Sequence, residues 1–278
     1  MPRTISKPAA IGKNVAVIVV LTIFAMSTVA PLVWMLFTSF KPLQEVEAGH
    51  LLPKVWHQGN YSEVFKQVPF ARYYMNSVFV AAWVTFLTCL TSSMAAFAFS
   101  RLEWKGRDAL FRLYLATMMI PGVVTMIPNY TLMVKLHLLD SYTGLILPSA
   151  FGAFGTFLLR QFMLTIPRAL DEAATIDGAG PWSVFMDVIL PLARPGLIAL
   201  AIFTFLGNYG SFYWPLILIK SESLRTLPIG IMYFDSNYGQ QTNLLMAASL
   251  MSLLPPIVLF LIGQKYLVKG IAFGAVKG

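Results

Sequence analysis

The chain has 278 residues, 57% of them hydrophobic and only 12% charged, with a formal charge of +8 and a mean hydropathy of +0.70. A soluble domain carries about twice that share of charge, and apolar runs long enough to cross a bilayer recur along the whole length, so a soluble core with a single anchor is excluded. The basic residues sit at the ends of apolar runs and form no stripe, which speaks for membrane flanks and against a nucleic-acid surface. Cys89 is the single cysteine, so the sequence offers neither a disulfide framework nor a metal-ligand spacing.

Arg3, Lys7 and Lys13 precede a charge-free run over 14–40. It is too long for the apolar region of a cleavable signal and predicts a retained first span with a cytoplasmic N-terminus. Residues 41–72 mix charges with Pro53, Trp56 and Tyr61, and are expected to form an external loop with one short amphipathic helix. A second run covers 73–100 and is followed by the basic loop RLEWKGRDALFR. The third run, 113–134, contains Pro121, Gly122 and Pro128 and should be kinked or broken. A tight external turn over 135–140 leads to the fourth run, 141–159, whose Gly144, Ser149, Ala150, Gly152, Ala153 and Gly155 would let helices pack closely in lipid. A polar segment over 160–194 comes next, then a fifth run (195–219), an external loop (220–235) and a sixth run (236–264). With this orientation 13 of the 20 lysines and arginines fall inside and 7 outside, the bias expected of a membrane protein. The expectation is an all-α integral membrane protein, one domain over 1–278, with six spans and both termini cytoplasmic.

The segment between the fourth and fifth runs carries the densest acidic cluster, in DEAATIDGAGPWSVFMDVILPLARP. Pro167 can open a helix, with Asp171 and Glu172 near its positive end. Leu170, Ala173, Ala174 and Asp177 follow at i, i+3, i+4 and i+7, a face nearly bare of bulk. Gly178 and Gly180 break the helix, Pro181 starts a second one, and Leu190-Pro191 is expected to end it. Two short helices joined by glycines make a projection; the same spacing also suits a surface loop covering the ends of its neighbours.

Glu172-Ala173-Ala174, Asp177-Gly178-Ala179, Leu190-Pro191-Leu192 and Pro195 together resemble the EAA motif of permease subunits of ABC importers. More narrowly they resemble the carbohydrate-uptake group, which includes the smaller maltose permease subunit. The resemblance implies a type I importer fold in which 160–194 is a cytoplasmic coupling-helix loop that docks into a separate ATPase. Glu172 would pair with a basic residue there, while Ala173, Ala174, Asp177, Gly178, Ala179 and Gly180 form the docking surface; Glu172 could instead pair with Arg168 one turn earlier. It further implies a second permease subunit, two ATPase subunits holding ATP and Mg, an external solute-binding protein, and a bacterial or archaeal inner membrane. The end of the chain, Gly274-Ala275-Val276-Lys277-Gly278, is similar to a maltose permease tail that reaches into the ATPase dimer, which makes Lys277 and Gly278 candidate contacts.

Catalysis by the chain itself is not expected. His50, His57 and His137 fall in predicted external loops without a companion carboxylate or serine, and no G-x-x-x-x-G-K-[ST] loop occurs, so no cofactor is expected on this chain. The six runs contain no acidic, basic or histidine side chain, which counts against a proton-coupled carrier. A polar, aromatic segment interrupts the fifth run. Its Asn208, Tyr209, Ser211 and Tyr213 could hydrogen-bond and stack on a sugar, or serve as an interfacial aromatic belt. Asn129 and Tyr130 beside Pro128, and Asn76, are further pathway candidates. The family commonly carries a Trp-Asn pair where this chain has Tyr209-Gly210. The expected substrate is a di- or oligosaccharide; glycerol phosphate or a polyol is the alternative within the class, and a gradient-driven carrier the alternative outside it.

Overall fold

A computed structural model describes residues 7–236 and 240–275; Lys277 and Gly278 lie outside them. Every regular element among the described residues is helical. In chain order these are α1 (Lys7–Ser39), α2 (Leu43–Glu47), α3 (Gly59–Gln67), α4 (Phe70–Ser100), α5 (Arg107–Ala116), α6 (Gly122–Lys135), α7 (Tyr142–Ile146), α8 (Ala153–Leu164), α9 (Ala169–Ile176), α10 (Pro181–Ser183), α11 (Leu190–Leu192), α12 (Arg194–Tyr209), α13 (Tyr213–Leu218), α14 (Leu227–Ile231), α15 (Tyr233–Ser236), α16 (Thr242–Ser252) and α17 (Leu254–Ala275). Three stretches, Val17–Ser39, Phe70–Ser100 and Thr242–Lys265, are long and apolar enough to cross a membrane unaided, and three bent helix pairs bring the number to as many as six where each pair is counted as one span. The helices form two compact units, residues 7–68 with 231–252 and residues 69–230 with 253–275.

In the first unit α1 and α3 both pack on α16. The Asn60 side chain organises the junction: its Nδ2 donates to the carbonyls of Ser39 and Lys41, each at 2.8 Å, at the C-terminal end of α1. Its Oδ1 accepts from Asn243 Nδ2 at 2.9 Å. The orphan carbonyls of a helix end are thereby satisfied by a side chain from another element. Two short helices, α2 and α3, occupy the loop in which one was expected. The apolar side chains of α1 from Val17 to Val33 are exposed on the chain by itself, a surface suited to lipid or another subunit.

The core of the second unit is α4, α8 and α12, which pack on one another, with α17 along α12. Gly155 explains how close α8 comes: a Cβ there would lie 2.5 Å from Ser92 Oγ on α4 and 3.2 Å from the Leu200 methyls on α12. Gly155 thus acts as the pattern predicts, whereas a Cβ at Gly152 would meet nothing within 4 Å. The third run is broken at Ile120-Pro121, where extended backbone turns the chain by 97° between Arg107–Met119 and Gly122–Lys135. Proline explains the break, since it has no N–H to continue the helix and biases the preceding residue away from helical backbone. The fourth run bends by 45° between Tyr142–Ser149 and Ala153–Leu164. The fifth stops at Tyr209 and resumes at Tyr213.

The start of the expected external loop over 220–235 differs from a free loop. Thr226, Leu227 and Gly230 are buried, the Leu227 N–H donates to Ser77 Oγ at 2.7 Å, and Gly230 lies against the Tyr73 ring. The cause is Asn76 on α4, whose Nδ2 donates to the carbonyls of Ser223 and Arg225 at 3.0 and 2.8 Å.

Candidate functional site: an anchored elbow and a broken-span cleft

The elbow between α8 and α12 consists of α9, a glycine turn at Gly178 (φ 87°), and a second helical segment, Pro181–Leu192, that meets α12 at 74°. Gly178 is glycine for a local reason, because side chains disfavour that left-handed backbone. The second segment does not end at Leu190-Pro191 as expected. Val184–Ile189 winds as a wide π turn and the helix runs on to Leu192. Proline clashes with the carbonyl four residues back, here that of Asp187, and the wider turn offers a way to relieve the clash.

An apolar cluster seats the elbow on the core. Phe97, Leu159, Met163, Val184, Phe185 and Ile189 are buried together, and Ala174 and Ala179 pack against them. The rings of Phe97 and Phe185 lie 5.1 Å apart. A charged anchor lies beside the cluster. Arg101, just past the end of α4, has a side chain only 4% exposed; its Nη1 donates to Asp171 Oδ2 at 3.0 Å. Its Nη2 donates to the Ile166 carbonyl at 2.8 Å and also to the Met163 carbonyl. Burial pulls the Arg101 guanidinium below its ordinary pKa, Asp171 opposes that shift, and nearby Arg168 adds to it. The group nonetheless stays charged, as arginine does in proteins.

This anchoring fixes which side of α9 is free. Asp171 and Ala174 turn inward, while Ala169, Glu172, Ala173 and Ile176, at i, i+3, i+4 and i+7, are exposed. Of the bare face expected from Leu170, Ala173, Ala174 and Asp177, Leu170, Ala173 and Asp177 are exposed, while Ala174 lies in the seat and Ile176, 86% exposed, joins the surface. Asp177, Gly178 and Gly180 are exposed and Ala179 is half-buried. Glu172 does not pair with Arg168, which instead meets Glu103 at 3.0 Å.

The second candidate region is a cleft of about 690 Å³ lined by Gly122, Thr125, Asn129, Ser149, Tyr213 and Trp214 among others, none of them charged. It adjoins all three interruptions: the start of α6, the end of the first half of the fourth span, and the start of α13. Non-helical backbone at membrane depth is tolerated where it is buried in protein or lines a water-filled cavity. Three breaks meeting at one cleft fit that rule. The cleft brings together Asn129 and Tyr213 of the expected pathway residues; Ser211 is half-buried in the break between α12 and α13. Tyr130 packs instead against the cluster of Val80, Met133 and Leu218. The Asn208 amide bonds to the Thr204 carbonyl of its own helix at 2.8 Å. Tyr209 is buried, stacked on Phe205 at 5.7 Å and edge-on to Tyr74 at 6.5 Å. Asn76 has its amide on two carbonyls and its Oδ1 accepting from the Tyr142 hydroxyl at 2.8 Å.

Sequence reasoning passed over Arg101, Ile176, Thr125 and Ser149. Thr125 had a usable signal, since it lies within a turn of the break predicted in the third run, whereas the sequence presents Ser149 only as a small packing residue. Arg101 had none, because its acceptors lie more than sixty residues further along the chain.

Residues 88–273 match the family described as binding-protein-dependent transport system inner membrane component. The arabinooligosaccharides transport system permease protein AraQ of Bacillus subtilis (strain 168) is 37% identical over 253 residues, covering 89% of this chain and 90% of its own length. The sn-glycerol-3-phosphate transport system permease protein UgpE of Yersinia pestis bv. Antiqua (strain Antiqua) is 35% identical over 235 residues, 83% of each chain. Among solved structures, a chain from a bacterial ABC transporter involved in the import of the acidic polysaccharide alginate superposes with a TM-score of 0.84 at 24% identity, covering 96% of this chain and 99% of that one. The fold is shared. With the family match covering well over half its length, this chain belongs to the inner membrane components of binding-protein-dependent transport systems, the permease subunits of ABC importers.

Proposed function

We propose that this chain is one of two membrane subunits of an ATP-driven importer for a neutral di- or oligosaccharide, with both termini and the elbow on the cytoplasmic side of the inner membrane. Nucleotide and Mg belong to a pair of partner ATPases, and an external binding protein delivers the sugar. The observation that carries this reading is the elbow: a rigidly seated pair of helices whose free surface offers the carboxylates of Glu172 and Asp177 among small residues, beside the exposed Ile176. Such a surface admits close approach, a charge pair and an apolar knob, the ingredients of a small anchored interface. Closure of the ATPase pair would draw the docked elbows together and rock the spans toward the outside.

The cleft supports a neutral substrate. Asn129, Thr125 and Ser149 offer hydrogen-bonding groups for hydroxyls, and Tyr213 and Trp214 offer rings for the C–H faces of a sugar. The likeness to a glycerol-phosphate permease favours a second reading, but a phosphate ester calls for arginine or lysine and the described lining has none. Purification from membranes tests both readings. An ATPase should accompany the chain, and its hydrolysis should rise with binding protein loaded with a neutral oligosaccharide and not with glycerol phosphate. Isolation of a chain that transports alone would refute the importer reading; stimulation by the phosphate ester would refute the neutral one.

A further inference from the structure

We infer that Arg101 is the positioning residue that makes the elbow and α4 move as one body, so that displacement of the docking surface reaches the span instead of being absorbed at the turn after α8. This rests on the importer reading above. The apolar cluster under the elbow is non-directional, and apolar contacts of that kind survive small slides and rotations. Arg101 is different. Its planar fork reaches three acceptors on two other elements at once, the carbonyls of Met163 and Ile166 at the C-terminal end of α8 and the Asp171 carboxylate in the first turn of α9.

Both ends suit the charges they receive. The last carbonyls of a helix carry partial negative charge and have lone pairs to spare, which a cation satisfies, and a carboxylate in a first turn complements the positive end of its helix. The fork is rigid and directional where an ammonium is a point charge, so a lysine cannot reproduce three bonds in this geometry. A rotation of α9 relative to α4 would have to break charge-assisted bonds in a site where the guanidinium is almost fully buried, and that is costly. Arg168, the other arginine of the elbow, is more than half exposed in its pair with Glu103 and can exchange its partner for water.

The test uses the assembled transporter in liposomes with its binding protein, comparing wild type, Arg101→Met, Arg101→Lys, Asp171→Asn and Arg168→Gln. The readout is sugar imported per ATP hydrolysed, both taken as the increments evoked by loaded binding protein, so that ATPase not assembled with the chain drops out of the ratio. The expected result is a fall of about tenfold in that ratio for Arg101→Met, within the range typical of coupling between sites, with partial recovery in Arg101→Lys. Asp171→Asn should fall less, and Arg168→Gln should match wild type. An unchanged ratio in Arg101→Met overturns the inference; if that variant does not assemble, an unchanged ratio in both Arg101→Lys and Asp171→Asn overturns it. A wild-type chain with no ATPase partner would instead refute the importer reading itself, so the two failures are distinguishable.

Discussion

The two ends of α4 solve the same problem with opposite chemistry. Near its N-terminal end Asn76 holds the chain after α13 through two carbonyls and receives the Tyr142 hydroxyl. Just past its C-terminal end Arg101 holds α8 and α9 through two carbonyls and a carboxylate. A buried amide costs little once its bonds are made. A buried charge carries a desolvation penalty of several kcal/mol that even good partners only roughly offset. The neutral clamp is what a fixed joint needs. The charged clamp sits under the elbow, where the proposed docking would apply force, and its expense there is the cost of direction.

The contrast can be sharpened by substitution. The largest loss of stability is expected for Arg101→Met, about 3 kcal/mol, at the low end for breaking a buried ion pair because Asp171 retains some exposure. Thermal unfolding of the purified chain in detergent would measure it. Asn76→Leu orphans the carbonyls of Ser223 and Arg225 and should cost about 2 kcal/mol in the same assay. The transport-to-ATP ratio of the assembled complex should then stay near wild type, which separates a joint from a lever.

Asp140 supports the neutral end. It accepts from the N–H groups of Lys220 and Ser221 at 3.0 and 2.9 Å and from the Ser221 hydroxyl. Those bonds hold its carboxyl below the ordinary carboxylate range. A depressed folded pKa stabilises fully above the ordinary carboxylate pKa, and the contribution is lost as pH falls through the folded value. Asp140→Asn, which also tolerates the positive φ of 53°, should therefore melt below wild type at neutral pH, with a gap under about 1 kcal/mol because the site is exposed. The gap should close in acid, and a constant gap would point to packing. Smallest of all is Arg168→Gln, where loss of an exposed pair is expected to change stability by less than about 0.5 kcal/mol.

Local chemistry made much of this architecture legible. Charge-free runs marked the long apolar helices and bent pairs, Pro121 marked the break between α5 and α6, and Gly178 marked the turn of the elbow, because each depends on the residue and its immediate neighbours. The seating of Ala174 on α9 was not legible. The alanines of a short Ala-rich helix look alike in sequence, and which one is seated is set by the distant apolar cluster and by Arg101, seventy residues before Asp171. Asn76 was equally opaque: an asparagine in an apolar run suggests a pathway, and only the returning carbonyls of Ser223 and Arg225 show how its amide is used. Among the residues proposed for the pathway, Asn129 and Tyr213 meet in the cleft because helix breaks bring their termini together, a juxtaposition spacing alone does not encode.

The claim on which the account turns is that the free side of α9 engages an ATPase, and Glu172→Lys measures it most directly. In the reconstituted transporter this variant should insert normally while losing the rise in ATP hydrolysis that loaded binding protein evokes in wild type. Full stimulation and full uptake with lysine at that position would contradict it.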